Sequence, residues 1–456
     1  MTSAARLAGG IICLALTSSL ATAQGAEAVP VPATRSEDSA PDYAADTLTG
    51  DWGGLRTRLY KAGIATEFVW KVDALSNGRG GIQRGDEVMG NLDSKLSFDF
   101  DKIAGWNETT ALLHVLSHQG GKFNARHVGS WTGVSNIEVP VNTTKIFHAW
   151  LQKGFNDGRF SLLAGLYPVD SEFSVLESAG VFVQPPYGPP ADLGLTRGPS
   201  IFNTSSFGIR AKWTSTDQTL YAQGAVLDGI PGDPNNPKGT HVRFDKGDGG
   251  FMIAELGWAP AEHGHAFDHT QPVDVPKSPD MVSHERADTI SKYAAGLWRY
   301  TAKADDLFNV DAAGNPLRQP SWGAYALAER TLFRFGDDPS RRLTVFARYS
   351  LTDGRSSAIR DTASAGLNLK GPFAQREDDT LGIALTRARY GRAWRDAQGA
   401  SGIDTVNSED AVELTYRAQI SRKFHVQPLW QYIRHPGGDR TTKDASILGV
   451  RLEFWL

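Results

Sequence analysis

The sequence predicts an all-β fold, a transmembrane up-and-down antiparallel barrel of about 16 strands. Three observations predict it: segments in which apolar and polar residues alternate one by one, spacers that alternate between long and short, and no apolar run beyond residue 23 long enough for a membrane helix. The 456-residue chain is 40% hydrophobic and 21% charged, which excludes a bundle of membrane helices, since each span needs about 20 nearly uncharged residues. A net charge of −4, with acids and bases interspersed, offers no basic surface to a nucleic acid.

Residues 1–23 carry Arg6, an apolar run from Leu7 to Leu20 and the small residues Ala21-Thr22-Ala23, the pattern of a secretory signal cut after Ala23. The one cysteine, Cys13, lies inside that segment, so the exported chain has no disulfide and no thiol chemistry. Residues 24–46 are rich in Ala, Pro and acids without apolar period, and read as a flexible leader. Residues 47–63 read as a short helical segment: Asp51 is placed to cap it, Leu55, Leu59 and Ala62 share one face, and Gly63 is placed to end it. The barrel then occupies residues 64–456.

Period two is clearest in four segments, because a strand sends successive side chains to opposite faces. Ile64, Thr66, Phe68, Trp70 and Val72 oppose Glu67, Lys71 and Asp73. Leu92, Leu96, Phe98 and Phe100 oppose Asp93, Lys95, Asp99 and Asp101, a pattern that makes no sense in a dry core. Val412, Leu414, Tyr416, Ala418 and Ile420 oppose Glu413, Thr415, Arg417 and Gln419, and Leu448, Val450, Leu452, Phe454 and Leu456 oppose Arg451 and Glu453. The full set of strands is predicted at about 64–73, 92–101, 109–118, 146–153, 160–167, 207–213, 219–227, 251–258, 291–300, 323–330, 343–350, 364–370, 380–387, 411–420, 424–433 and 446–456.

The odd-numbered spacers of this set run to 18, 27, 39, 23, 22, 13, 23 and 12 residues, and the even-numbered ones to 7, 6, 5, 32, 12, 9 and 3. Such alternation is what a barrel with short turns at one rim and long loops at the other produces. In a bacterial outer membrane the short turns are periplasmic and the long loops extracellular. A soluble sandwich or β-helix also alternates, but sandwich turns recur every 8 to 12 residues, much more often than these. Aromatic residues at strand ends, namely Trp106, Tyr167, Trp213, Trp258, Tyr300, Tyr349 and Tyr432, suit an interfacial girdle.

Thr49-Gly50-Asp51-Trp52-Gly53-Gly54-Leu55-Arg56 followed by Gly63-Ile64 resembles the opening of the carbohydrate-selective porins of the OprB family. The resemblance continues at Gly90-Asn91-Leu92-Asp93, at Phe202-Asn203-Thr204-Ser205-Ser206-Phe207-Gly208, at Glu413 to Arg417, at Gln427-Pro428 and at Gln431 to Gly438. It implies a 16-stranded outer-membrane channel for passive diffusion of glucose and other small sugars into the periplasm, without enzymatic activity and without a cofactor. Sugars and outer-membrane lipids are the partners this implies, and three barrels can associate into a homotrimer as general porins do. Two features depart from the pattern: the even-numbered spacer from Ala259 to Ile290 is far longer than a periplasmic turn, and the chain ends in Trp455-Leu456 rather than in Phe or Trp.

A pore that prefers sugars must offer groups that replace water at hydroxyls, and aromatic faces for C–H surfaces, while binding weakly enough to let go. The spacer from Pro168 to Ser206 is the longest odd-numbered one and holds Asp170, Glu172, Phe173, Glu177, Pro185-Pro186-Tyr187-Gly188-Pro189-Pro190, Arg197 and Phe202. Its prolines reduce the entropy lost on ordering, so it is expected to fold back and narrow the lumen. With it, Arg348, Glu413, Arg417, Arg451 and Glu453, on polar strand faces, are the expected lining of the sugar path. The plain alternative for each strand residue is a salt bridge along the wall.

His263, His265, His269 and His284 lack the spacing of a rigid metal site, and Asp233 to Pro237 and Asp245 to Gly250 lack the carboxylate ladder of a calcium loop. No metal is therefore expected. A general, mildly cation-favouring porin is the alternative function, with an outer-membrane hydrolase and a secreted sugar binder behind it.

Overall fold

A computed structural model describes residues 40–260, 290–335 and 341–456. Sixteen strands close into one antiparallel barrel. They are β1 (Ile64–Arg79), β2 (Gly85–Asp99), β3 (Thr109–Gly120), β4 (Thr144–Phe155), β5 (Phe160–Tyr167), β6 (Ser206–Thr214), β7 (Leu220–Asp228), β8 (Gly250–Trp258) and β9 (Ser291–Tyr300), then β12 (Trp322–Arg334), β13 (Arg342–Thr352), β14 (Ile359–Lys370), β15 (Thr380–Tyr390), β16 (Ser408–Ser421), β17 (Phe424–Arg434) and β18 (Ala445–Trp455). A separate hairpin of β10 (Ala304–Val310) and β11 (Pro316–Gln319) occupies the loop between β9 and β12. Each barrel strand contains or overlaps a predicted one, and every neighbour in sequence is a neighbour in space.

The predicted alternation of long and short spacers holds at most positions, with three exceptions, one of them the link 353–358 between β13 and β14, which is shorter than the even-numbered link 371–379 that follows. β1 and β2 extend towards each other until only residues 80–84 join them, with Gly80 and Gly81 at positive φ, so the first long loop is a tight turn. Asn, Ser and Gly in the facing ends hide the strand pattern there. The 32-residue connection is real, because β8 pairs with β9 directly, Trp258 opposite Tyr293. It leaves from the short-turn rim, and the histidines at 263, 265, 269 and 284 lie outside the described residues.

Outward side chains form an apolar band, with Ile209 57%, Leu256 62%, Leu297 63% and Leu448 64% exposed. Trp106, Trp213, Trp258 and Tyr349 are also exposed, as girdle residues should be. Tyr167 and Tyr300 do not join them. Both are 1% exposed and turn inwards, Tyr167 donating to Glu172 at 2.5 Å and Tyr300 packing on Phe251 and Trp298. Opposite Pro428, which has no N–H, the β16–β17 ladder skips from Thr415↔Leu429 to Ala418↔Val426 without changing register. A bulge is thus not needed at the proline.

The seam between β1 and β18 is held from the short-turn rim. Leu55–Lys61 is the expected helix, but its N-cap is Gly54 rather than Asp51, whose carboxylate instead takes the Thr57 N–H and hydroxyl, both at 2.8 Å. A helical turn, Tyr43–Asp46, stands where the leader was expected to be irregular. Leu55 is exposed, and the buried residue of the helix is Arg56. Its guanidinium donates to Thr66 Oγ1 (2.9 Å) and Thr66 O (3.0 Å) on β1, to Thr47 Oγ1 (3.0 Å), and to Leu456 O (3.0 Å) at the end of β18. The Tyr43 ring covers it at 4.2 Å.

Candidate functional site: a lumen narrowed by two inserted loops

A polar lumen face leaves hydrogen-bonding groups pointing inwards, and two outer-rim loops use them. The 168–205 loop, joining β5 to β6, runs along the inner wall as far as β17. Its backbone N–H groups are taken by wall glutamates: Ser174 by Glu255 (2.8 Å), Glu177 and Ser178 by Glu329 (3.2 and 2.9 Å), and Val183 and Gln184 by Glu413 (2.7 and 2.8 Å). Its carbonyls are taken by wall cations and amides: Val175 O by Lys292 (2.8 Å), Ser174 O by Arg348 (2.8 Å), and Val181 O by Gln427 (2.6 Å). Arg348 also donates to Pro186 O. Because a loop inside a barrel cannot reach bulk water at every peptide group, these side chains supply the partners its backbone needs.

Packing completes the anchorage. Phe173, Leu176, Phe182, Tyr187 and Leu193 of the loop are each at most 4% exposed and form one apolar cluster with inward residues of β7 to β13, among them Tyr221, Phe251, Trp298, Tyr325 and Phe346. The lumen face of those strands is therefore apolar where the loop lies on it, which is why period two is weak there.

A second insertion comes from the 121–143 loop between β3 and β4. Glu409 of β16 accepts from Ser130 Oγ (2.6 Å) and from the N–H groups of Trp131 (3.1 Å) and Thr132 (2.8 Å), and Ser135 Oγ donates to Asp73 of β1 (2.6 Å). The loops join where Asn136 N–H meets Val183 O at 2.8 Å and Gln184 Nε2 meets Gly133 O at 3.1 Å. The wall of β2 to β4 also holds the loops, through Glu87 of β2 with Arg126 at 2.6 Å and through Phe147 O of β4, which accepts from Ser205 Oγ at 2.5 Å. There the lumenal groups pair with one another, Lys95 with Glu67 at 2.8 Å and His114 with Asp93 at 2.9 Å. An extra residue in β4 turns both Phe147 and His148 inwards.

The predicted path residues divide between two situations. Asp170, Glu172, Arg197 and Phe202 are half-buried, and Glu177 is exposed. Asp170 accepts from Phe202 N–H at 3.2 Å, and burial pushes its carboxyl up to about 6. Burial pushes Glu172 up as well, but Arg210, 2.8 Å away, overcomes this and holds it below the usual carboxylate range. Arg197 lies 5.7 Å from the Tyr300 ring, and Phe202 meets Phe147 and His118 edge-on. Arg417 is half-buried and pairs with the buried Glu453 at 3.0 Å.

Phe173, Arg348, Glu413 and Arg451 are at most 5% exposed and hold the loops. Arg451 grips Asp73 at 2.7 and 2.8 Å and Asn136 at 2.7 Å. Sequence reading missed Glu255, Glu329 and Glu409. Their inward phase was legible, as in Phe251, Ile253, Glu255, but the loop that each holds is more than 70 residues away in the chain. Among the described residues, no group of three His, Cys, Asp or Glu converges as metal ligands.

Comparison with known proteins places this architecture. Over residues 83–456 the chain matches the model of the carbohydrate-selective porin, OprB family. It is 23% identical to Porin B of Pseudomonas aeruginosa over 439 residues, covering 89% of this chain and 90% of that one. Among solved structures it is similar to OprB of Pseudomonas putida: the high-pH structure superposes with a TM-score of 0.76 at 19% identity over 92% of this chain and all of that one, and the low-pH structure with 0.56 at 17%. The barrel is thus that of an outer-membrane channel, with the short-turn rim periplasmic and the long loops outside. The protein belongs to the OprB family of carbohydrate-selective porins, channels rather than enzymes.

Proposed function

We propose that sugars cross this porin along the side of the lumen between the inserted loops and the β1–β4 wall, lined by Asp170, Glu172, Arg197, Phe202, Arg417 and Glu453. The observation that carries this is that wall glutamates and Gln427 hold the 168–205 loop against β8, β12, β16 and β17, while Asp170, Glu172, Arg197, Phe202 and Arg417 stay half-buried. Ion-paired carboxylates and guanidinium groups exchange hydrogen bonds with hydroxyls while presenting little net charge, so a neutral polyol is favoured over an ion. Phe173, Glu177, Arg348, Glu413 and Arg451 shape the path through the loops they hold or belong to.

Liposome swelling checks the reading: glucose should enter faster than a zwitterionic amino acid of similar size and faster than a disaccharide. Equal entry of glucose and the amino acid would instead favour a general, size-limited porin. The outward apolar band supports contact with outer-membrane lipid; association into a homotrimer is part of the same proposal, and a purely monomeric mass in mild detergent would contradict it.

A further inference from the structure

Three outer loops and the start of β4 line a cleft of about 170 Å³. The 229–249 loop docks onto β4 through Thr240 Oγ1, which accepts from Ile146 N–H at 2.7 Å, and onto the end of the 121–143 loop through Gly239 N–H, which donates to Thr143 Oγ1 at 2.7 Å. Pro140, Pro231, Pro234 and Pro237 line the cleft, so its walls lose little entropy on ordering. Asn203, Thr204 and Asn236 supply amide and hydroxyl groups.

Lys145 lies at the floor of this cleft and is 6% exposed. Its one hydrogen bond among the described residues goes to a neutral hydroxyl, Thr204 Oγ1, at 2.9 Å. No carboxylate of the described residues lies within ion-pair distance of it. The acid of the cleft, Asp233, is committed to Arg243 at 2.6 Å, and Arg243 also holds Asp245 at 2.8 Å. Nearby, His118 is 4% exposed with both ring nitrogens unpartnered. A buried ammonium without a counter-charge is costly, and an anionic ligand bound beside it would supply the missing charge.

We infer that this cleft is an entry subsite for an anionic monosaccharide, a sugar acid or a sugar phosphate, whose charged group pairs with Lys145 Nζ while Asn203, Thr204 and Asn236 bond its hydroxyls. The inference rests on the carbohydrate-porin reading and adds a second class of sugar to it. A single-ring occupant matches the cleft, which is smaller than the roughly 300–1,000 Å³ typical of sites for drug-sized ligands. Lys145 serves as a point charge rather than a planar fork, so it does not by itself choose between carboxylate and phosphate.

The test is block of single-channel current in planar bilayers by gluconate, glucose 6-phosphate, glucose and chloride added from the outer side. Wild type should be blocked by gluconate, glucose 6-phosphate or both, at concentrations at least about tenfold below those at which glucose acts, a gap an added charge contact can supply. Lys145→Met, of similar length but neutral, should abolish that gap while leaving glucose entry into liposomes unchanged. Asn236→Ala, in the exposed loop, should weaken the anionic block without touching the wall. The relative potency of the two anions assigns the carboxylate or the phosphate as the preferred group. Equal block by gluconate and glucose, equal block by gluconate in wild type and in both variants, or block by chloride as strong as by gluconate would each overturn the subsite. Failure of wild type to pass glucose at all would instead strike the carbohydrate-porin reading itself.

Discussion

Replacing Glu329 and Glu413 together by Ala is expected to widen the channel and erase its preference for sugars. Glu329 holds the N–H groups of Glu177 and Ser178, and Glu413 those of Val183 and Gln184, so the double variant strands four backbone donors of the 168–205 loop at once. Each buried donor left unpaired costs about 1–3 kcal/mol, more than enough in sum to release this stretch of loop from the wall. The barrel strands keep their own ladders, so the variant should still run as a folded barrel. Single-channel conductance should rise about twofold or more as the section opens, and sugar block of the current should be lost. Unchanged conductance in a folded double variant would mean that the apolar cluster around Phe182 and Tyr187 holds the loop without the glutamates.

The second large effect is expected at Arg56. Its guanidinium bonds Thr66 of β1 and Leu456 after β18, and thereby closes the one seam at which the first and last strands of the chain meet. Arg56→Ala removes four good hydrogen bonds, each worth about 1 kcal/mol, and a cation–π contact worth about as much, so a loss of roughly 5 kcal/mol is expected. A lower temperature for the shift from folded to unfolded mobility in gels would register it. Arg56→Lys should recover little, since an ammonium cannot reach Thr66 Oγ1, Thr66 O and Leu456 O from one position. Wild-type thermal stability of Arg56→Ala would show that the strand pairs Trp70↔Phe454 and Val72↔Leu452 close the seam unaided.

The barrel was legible in the sequence because lipid and water impose opposite demands on the two faces of every strand, as in Leu448, Val450 and Leu452 against Arg451 and Glu453. That pattern fails where the lumen is not wet. On β8, Phe251 and Ile253 point inwards to the apolar cluster on which the inserted loop rests, so inner and outer faces look alike. The loop itself was legible as an insertion from its length and prolines, but the partners of its backbone were not. Glu255 and Glu329 read as ordinary polar positions until the fold brings Ser174 and Ser178 to them. Glu413 and Arg451, read as lining the sugar path, carry loop contacts that the sequence hides for the same reason: a lumenal charge and a loop-anchoring charge have the same place in a strand. In the sequence Arg56 stands only within a motif, since a helix's sequence does not say that its cation reaches both the first and the last strand.

If the loop held inside the barrel makes the channel sugar-selective, releasing it must level the entry of glucose and an amino acid. The ratio of glucose to amino-acid entry in liposomes, measured side by side for wild type and the Glu329→Ala/Glu413→Ala variant, tests it most directly. The ratio should stand well above one in wild type and fall towards one when the loop is released. A high ratio that persists in a variant of raised conductance would contradict the claim and place selectivity on the barrel wall alone.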